Sequence, residues 1–201
     1  MTVGILDYGV GNLGSVRNMF RRIDVTCELA HDSERLTDFD RLLLPGVGAF
    51  DRAAGRLADR GLADAIKEFA KTGRPILGIC LGMQLLLDSS AEGEMAGLGL
   101  IPGRSERFVP REGLRVPHMG WNSVTPTVES RIFAEVATEP RFYFVHSYHA
   151  VPDNAQDVLA TTPHGDDFVS MIRRDNIIGA QFHPEKSHLF GMQLLRGFAD
   201  L

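Results

Sequence analysis

The 201-residue chain has only two cysteines. Cys27 and Cys80 stand in separate strand-like runs, so the sequence offers no disulfide framework. No apolar run approaches the length needed to cross a bilayer, which excludes a membrane-spanning helix. Nor is there a basic surplus: 21 Lys and Arg face 26 Asp and Glu, a formal net charge of −5. That balance argues against nucleic acid as the main partner. Residues 1–7 read directly as a strand, without the basic and apolar regions of a secretory leader. Internal repeats, low-complexity tracts and linkers are missing as well. These absences lead to the expectation of a cytoplasmic protein, free of membrane, folding as one domain over residues 1–201 with a core that needs no staples.

What is present begins with alternation. Strand-like runs at 3–8, 25–30 and 41–44 are interleaved with helical patterns. The first, at 15–23, carries Val16, Met19, Phe20 and Ile23 at helical spacing. A second helical stretch at 49–72 is expected to break near Gly61. Short loops between strands and helices imply a parallel sheet covered on both faces, an α/β fold. Later the character changes, with strand runs at 141–145, 158–162, 169–173 and 177–182 and few helices between them. Added antiparallel strands are expected there, followed by a closing helix at 189–199.

The most informative stretch is 74–87, where a buried-strand run turns at a cysteine flanked by glycines and continues with helical spacing. Gly78-Ile79-Cys80-Leu81-Gly82 reads as a nucleophile elbow, whose tight turn leaves no room for Cβ atoms beside the thiol. The sulfur would sit at a helix N-terminus, which favours thiolate, and the Leu81 N–H would point at an oxyanion formed beside it. The competing reading is a small apolar core residue, which suits Cys27 well.

A thiolate needs a base, and the best placed of seven histidines is His183, which ends a buried strand just as Cys80 does. Pro184 stops that strand, and Glu185 can turn back to orient the imidazole and stabilise its cation. His146 and His149 lack a convincing third metal ligand, so no metal and no cofactor are expected. His31, His164 and His188 read as surface or loop residues. Pro45-Gly46-Val47-Gly48 would supply a second oxyanion donor from the peptide around Val47 and Gly48, its glycines permitting reorientation. Gln84, four residues after Cys80, shares the nucleophile's helix face and would reach a bound substrate.

Pro45-Gly46-Val47-Gly48, Gly78-Ile79-Cys80-Leu81-Gly82-Met83-Gln84 and His183-Pro184-Glu185 together resemble the class I glutamine amidotransferases, over essentially the whole chain. Asp7-Tyr8-Gly9-Val10-Gly11-Asn12-Leu13, Pro117-His118-Met119-Gly120-Trp121-Asn122 and Phe142-Tyr143-Phe144-Val145-His146-Ser147-Tyr148 narrow the likeness to the glutaminase subunits of imidazole glycerol phosphate synthases.

The resemblance implies a mainly parallel central sheet with helices on both faces plus antiparallel strands. It also implies glutamine hydrolysis through Cys80, His183 and Glu185 by way of a thioester. Gln84, Glu92, Ser147 and Tyr148 would contact the amino acid part of glutamine, although the family often has threonine at the position of Ser147. Ammonia would pass to a separate (β/α)8 cyclase subunit in a heterodimer serving histidine biosynthesis. Pro117, Met119, Trp121, Asn122 and Lys186 would face that partner, with Pro117–Asn122 read as polar and turn-like. Two alternatives stay open: a related thiol glutaminase serving pyridoxal phosphate synthesis, and a catalytically silent binding subunit.

Overall fold

A computed structural model describes residues 1–201. Its first half alternates strand and helix: β1 (Val3–Leu6), α1 (Leu13–Arg22), β2 (Cys27–Ala30), β3 (Arg41–Leu44), α2 (Phe50–Asp59), α3 (Leu62–Lys71), β4 (Ile76–Ile79) and α4 (Leu81–Leu85). Asn12 caps α1 by accepting from the Ser15 N–H at 3.3 Å, which satisfies one of the donors a helix start leaves free. Gly61, at φ 65°, separates α2 from α3, a left-handed backbone that glycine adopts at little cost.

The second half is strand-rich: β5 (Ser89–Ser90), β6 (Gly103–Arg107), β7 (His118–Ser123), β8 (Thr125–Pro126), β9 (Arg141–His146), β10 (Tyr148–Pro152), β11 (Val158–His164), β12 (Asp166–Arg174) and β13 (Ile177–Ala180), closed by α5 (His188–Ala199). The main sheet runs β2-β1-β3-β4-β13-β12-β10-β6-β5, with β11 and β8 attached through β12. From β2 to β13 neighbouring strands are parallel, and β12, β10 and β6 continue the sheet antiparallel. β7 and β9 form a separate antiparallel ribbon.

Period-two alternation splits the parallel strands between two cores. Val3, Ile5, Leu43, Leu77, Ile79 and Ile178 pack toward α1 and α5. Leu6, Leu42, Leu44, Ile76 and Ile177 pack toward α2 and α3. Both faces are therefore covered, as the alternating sequence predicts, and each such side chain contributes roughly 1.5–3 kcal/mol when fully buried. The expected antiparallel strands and closing helix are present, with ends shifted by a few residues.

Two expectations need correction. The segment expected to be turn-like is strand β7, with His118 buried and Asn122 half-buried while Met119 and Trp121 stand exposed. Polar residues on the inward side and Gly120 at φ 123° hide this alternation. Cys27, expected in the core, is only half-buried at the start of β2.

Candidate active site

The parallel strands end together on one side of the sheet, and register decides what meets there. β13 pairs with β4 so that Gly179 lies opposite Gly78 and Ala180 opposite Ile79. One residue further, Cys80 donates its N–H to the Ala180 carbonyl at 2.7 Å. Cys80 has φ 53° and ψ −110°, a strained backbone for a residue with a Cβ, and such strain gathers where a nucleophile is presented on an elbow. The turn is possible because a Cβ on Gly82 would collide with the Leu44 carbonyl. The helix behind the elbow is shorter than the sequence pattern suggests, five residues from Leu81 to Leu85. It therefore offers less dipole than a long helix, and the groups packed around the thiol matter more.

His183 is the main such neighbour. Its N–H is held by the Tyr143 carbonyl at 2.9 Å, and its own carbonyl accepts from the Ser187 hydroxyl at 2.6 Å. Ser187 Oγ in turn accepts the Tyr143 N–H at 3.0 Å, so the turn after β13 is clamped to β9. The His183 ring bonds through Nδ1 to Glu185 Oε1 at 2.7 Å, with both side chains almost fully buried. Nε2 is left without a partner on the side of the crevice that holds Cys80. Burial alone would lower the imidazole. The Cys80 thiol and the Glu185 carboxylate outweigh it and hold the His183 pKa up to about 9.

A crevice of about 390 Å³ gathers these groups with the others the sequence proposes. Cys80, Leu81 and Gln84 come from the elbow, and Val47 and Gly48 from the loop after β3. Glu92, Val145, His146, Ser147, Tyr148, His183 and Lys186 complete the wall. Larger hollows, about 800 Å³ beside Pro126–Ala134 and about 650 Å³ beside α1, bring no nucleophile and base together. No group of three or more His, Cys, Asp and Glu side chains is arranged to hold a metal.

Several placements refine the sequence reading. The Gln84 side chain is buried and already donates to the Tyr148 carbonyl and to Gln181 Oε1, each at 3.3 Å. Glu92 uses one oxygen to accept the Phe50 N–H at 3.0 Å, at the start of α2. Gly48 has φ 96° and open space where a Cβ would stand, and Val47 is exposed. No neighbour crowds this part of the loop, whereas its base is held by the Tyr8 hydroxyl bonding to the Pro45 carbonyl at 2.5 Å. Met119, Trp121, Pro117 and Lys186 are exposed. Asn122 is turned inward, donating to the Pro163 carbonyl at 2.6 Å and lying 3.1 Å from His118 Nε2.

Sequence reasoning missed Tyr8 and Gln181. The Gln181 amide donates to Cys80 Sγ at 3.8 Å. A polar residue two positions before His183 in an otherwise apolar strand run was the available signal. Two further histidines also escaped it: His118 is buried, and His164, expected on the surface or in a loop, lies against His118 with ring centroids 4.2 Å apart and the rings tilted by 33°.

With a thiol, an oriented imidazole and two loops with free N–H groups at one crevice, the arrangement can carry out acyl transfer. The chain matches the sequence profile described as Glutamine amidotransferase class-I over residues 4–200. It is 48% identical over 200 residues to the imidazole glycerol phosphate synthase subunit HisH of Sulfurimonas denitrificans, covering 98% of this chain and 96% of that protein. It is 45% identical over 198 residues to subunit HisH 2 of Pseudomonas aeruginosa, covering 98% of each. Among solved structures, a glutamine amidotransferase superposes with a TM-score of 0.77 at 19% identity, over 98% of this chain and 97% of that one. PurLQS from Thermotoga maritima gives a TM-score of 0.77 at 17% identity, over 99% and 97%. At such identities the structures speak to the fold alone, and they share this α/β sheet. The chain belongs to the class I glutamine amidotransferase family and, within it, to the imidazole glycerol phosphate synthase HisH subunits.

Proposed function

We propose that residues 1–201 form one glutaminase domain that hydrolyses glutamine through Cys80, His183 and Glu185. The observation that carries this reading is the buried 2.7 Å bond between His183 and Glu185 beside the strained Cys80 elbow. Cys80 thiolate attacks the side-chain amide carbon, and the oxyanion is met by the N–H of Leu81 and a peptide N–H around Val47 and Gly48. His183 gives its proton to the departing amine, leaving a glutamyl thioester and ammonia. It then takes a proton from water as that water attacks the thioester, releasing glutamate and restoring the Cys80 thiolate beside a protonated His183. Glu185 keeps the imidazole oriented through Nδ1 and stabilises its cation. Gln84, Glu92, Ser147 and Tyr148 hold the amino acid part of the substrate.

Ammonia released into water would protonate and diffuse away, so the reaction calls for a receiver. The relatives' names as synthase subunits support docking on a partner subunit; our reading makes that partner a separate (β/α)8 cyclase, met in the cytoplasm. Exposed Met119 and Trp121 on β7, with Pro117 and Lys186 nearby, suit that surface; exposed aromatic anchors favour interfaces. Ammonia would react there with the cyclase substrate to give imidazole glycerol phosphate and aminoimidazole carboxamide ribotide. The uncrowded half of the Val47 loop gives a reason for coupling. Turned with a carbonyl toward the substrate it withholds an oxyanion donor, and a missing donor costs roughly 10²- to 10³-fold in rate.

Glutamate release measured with and without purified cyclase tests the reading. Activity stimulated by the cyclase and lost in Cys80→Ala, with the complex still formed, is the expected result. Release by Cys80→Ala near the wild-type rate would refute the nucleophile. Equal turnover by the lone subunit and the substrate-loaded complex would refute the gating.

A further inference from the structure

A chain of hydrogen bonds runs from ribbon strand β7 to the sulfur of Cys80. Asn122 Nδ2 lies 3.1 Å from His118 Nε2, His118 Nδ1 3.0 Å from His146 Nε2, and His146 Nδ1 2.7 Å from the Tyr148 carbonyl. Gln84 donates to the same carbonyl and to Gln181 Oε1, and Gln181 Nε2 donates to Cys80 Sγ.

Chemistry fixes every proton in the chain. A carbonyl only accepts, so His146 carries its proton on Nδ1 and accepts at Nε2. His118 must then donate from Nδ1 and accept at Nε2, which matches the Asn122 amide N–H. The assignment requires both rings to be neutral, because a cation would face a donor. Burial supplies that condition, holding His118 down to about 4 and His146 to about 3, with neighbouring histidines adding to both effects.

At the other end Gln181 is fully buried, and its amide cannot turn over without losing Gln84. Its N–H is thereby committed to sulfur. The register explains why: Ala180 lies opposite Ile79, so the next residue on β13 lies beside Cys80.

We propose that Gln181 is a positioning residue for the Cys80 thiolate, and that the His118–His146 pair ties its orientation to the exposed β7 ribbon. The inference rests on the reading of Cys80 as the nucleophile. A neutral N–H aimed at sulfur stabilises the anion without supplying a proton, so it complements His183. Displacement of β7 by a bound protein would be felt at the sulfur through six polar groups with no slack in their donor assignments.

Titratable groups also surround the thiol on other elements: His183 and Glu185 after β13, Tyr8 after β1, Glu92 after β5, and Tyr148 and Lys186 at the crevice wall. The test must therefore compare variants that leave these unchanged.

The experiment is iodoacetamide alkylation of Cys80 in the full chain, followed by peptide mass spectrometry across pH, beside steady-state glutamate release with cyclase. Gln181→Met keeps the shape and removes the donor. It should move the alkylation profile to higher pH, giving about tenfold slower labelling at a fixed mildly acidic pH, with kcat falling more than KM rises. Gln181→Glu, which places an acceptor against sulfur, should shift it further. His118→Leu should slow labelling about threefold, and His118→Asn, which keeps a donor at the Nδ1 position, should restore it. Folded variants whose profiles superimpose on wild type would overturn the inference. Absence of glutamate release by wild type with these shifts intact would instead overturn the glutaminase reading alone.

Discussion

Two buried histidine sites lie on either side of the Cys80 crevice and are held in opposite charge states. His183, at the end of a parallel strand, is bonded to a carboxylate and raised to about 9. His118 and His146, inside the β7–β9 ribbon, have only neutral partners and are lowered to about 4 and about 3. Burial opposes the cation in both places. The difference lies in the partners of the His183 ring: the Cys80 thiol and, with it, the Glu185 carboxylate at 2.7 Å turn an imidazole that burial would keep neutral into one that keeps its proton. Depth of burial does not tell a reactive histidine from a structural one, and the partner on the second ring nitrogen does.

Removing that partner should have the largest effect. Glu185→Gln is expected to lower glutamate release by roughly 10²- to 10⁴-fold, because the imidazole loses its orientation and the stabilisation of its cation. Steady-state assays with the cyclase measure this, and a loss below tenfold would remove Glu185 from the mechanism.

The two sites should also give opposite limbs to stability against pH. For His183 the folded value lies above the ordinary 6.5. Its contribution is complete below about 6.5 and is lost as pH rises through about 9. For His118 and His146 the unfolded chain binds protons below about 6.5 that the folded rings refuse until about 4 and about 3. Stability therefore falls as pH drops through that window. Denaturant midpoints across pH should show both limbs, with His118→Leu flattening the acid side and Glu185→Gln the alkaline side. The reverse assignment would break the comparison.

On the ribbon's outer face, Trp121→Ala should weaken cyclase docking by about 2 kcal/mol, read by titration, with the chain still folded by circular dichroism. Trp121 stacks on His188 with ring centroids 5.6 Å apart and remains exposed, so unfolding of this variant would contradict the interface reading. The smallest effect is expected at Cys27. Burial pushes its thiol up, Arg17 partly opposing and Glu28 adding to the rise. Iodoacetamide at mildly acidic pH should therefore label Cys80 first, and Cys27→Ala should cost about 1 kcal/mol or less.

The same division separates what was legible in the sequence from what was not. The parallel half shows itself because its central strands β1, β4 and β13 are apolar runs buried along their whole length and its helices carry apolar stripes. That Cys80, His183 and Glu185 would come together was legible because chemistry restricts which residues can stand at strand ends beside a glycine elbow; their roles remain the proposal made above. β7 was hidden because its inward positions, His118 and Asn122, are polar and satisfy each other inside the protein. Their burial depends on pairing with β9, nearly a full strand-and-loop away in sequence, which no local pattern records. Gln181 was hidden for a related reason, since its partner Cys80 lies just past the end of the neighbouring strand β4, 101 positions away.

The most direct test of the central claim is to acid-quench the reaction of the chain with glutamine and the cyclase and weigh the intact protein. A glutamyl adduct on Cys80 is expected to build within the first turnover and to be absent from Cys80→Ala. Steady glutamate release with no adduct on Cys80, undiminished in Cys80→Ala, would contradict it.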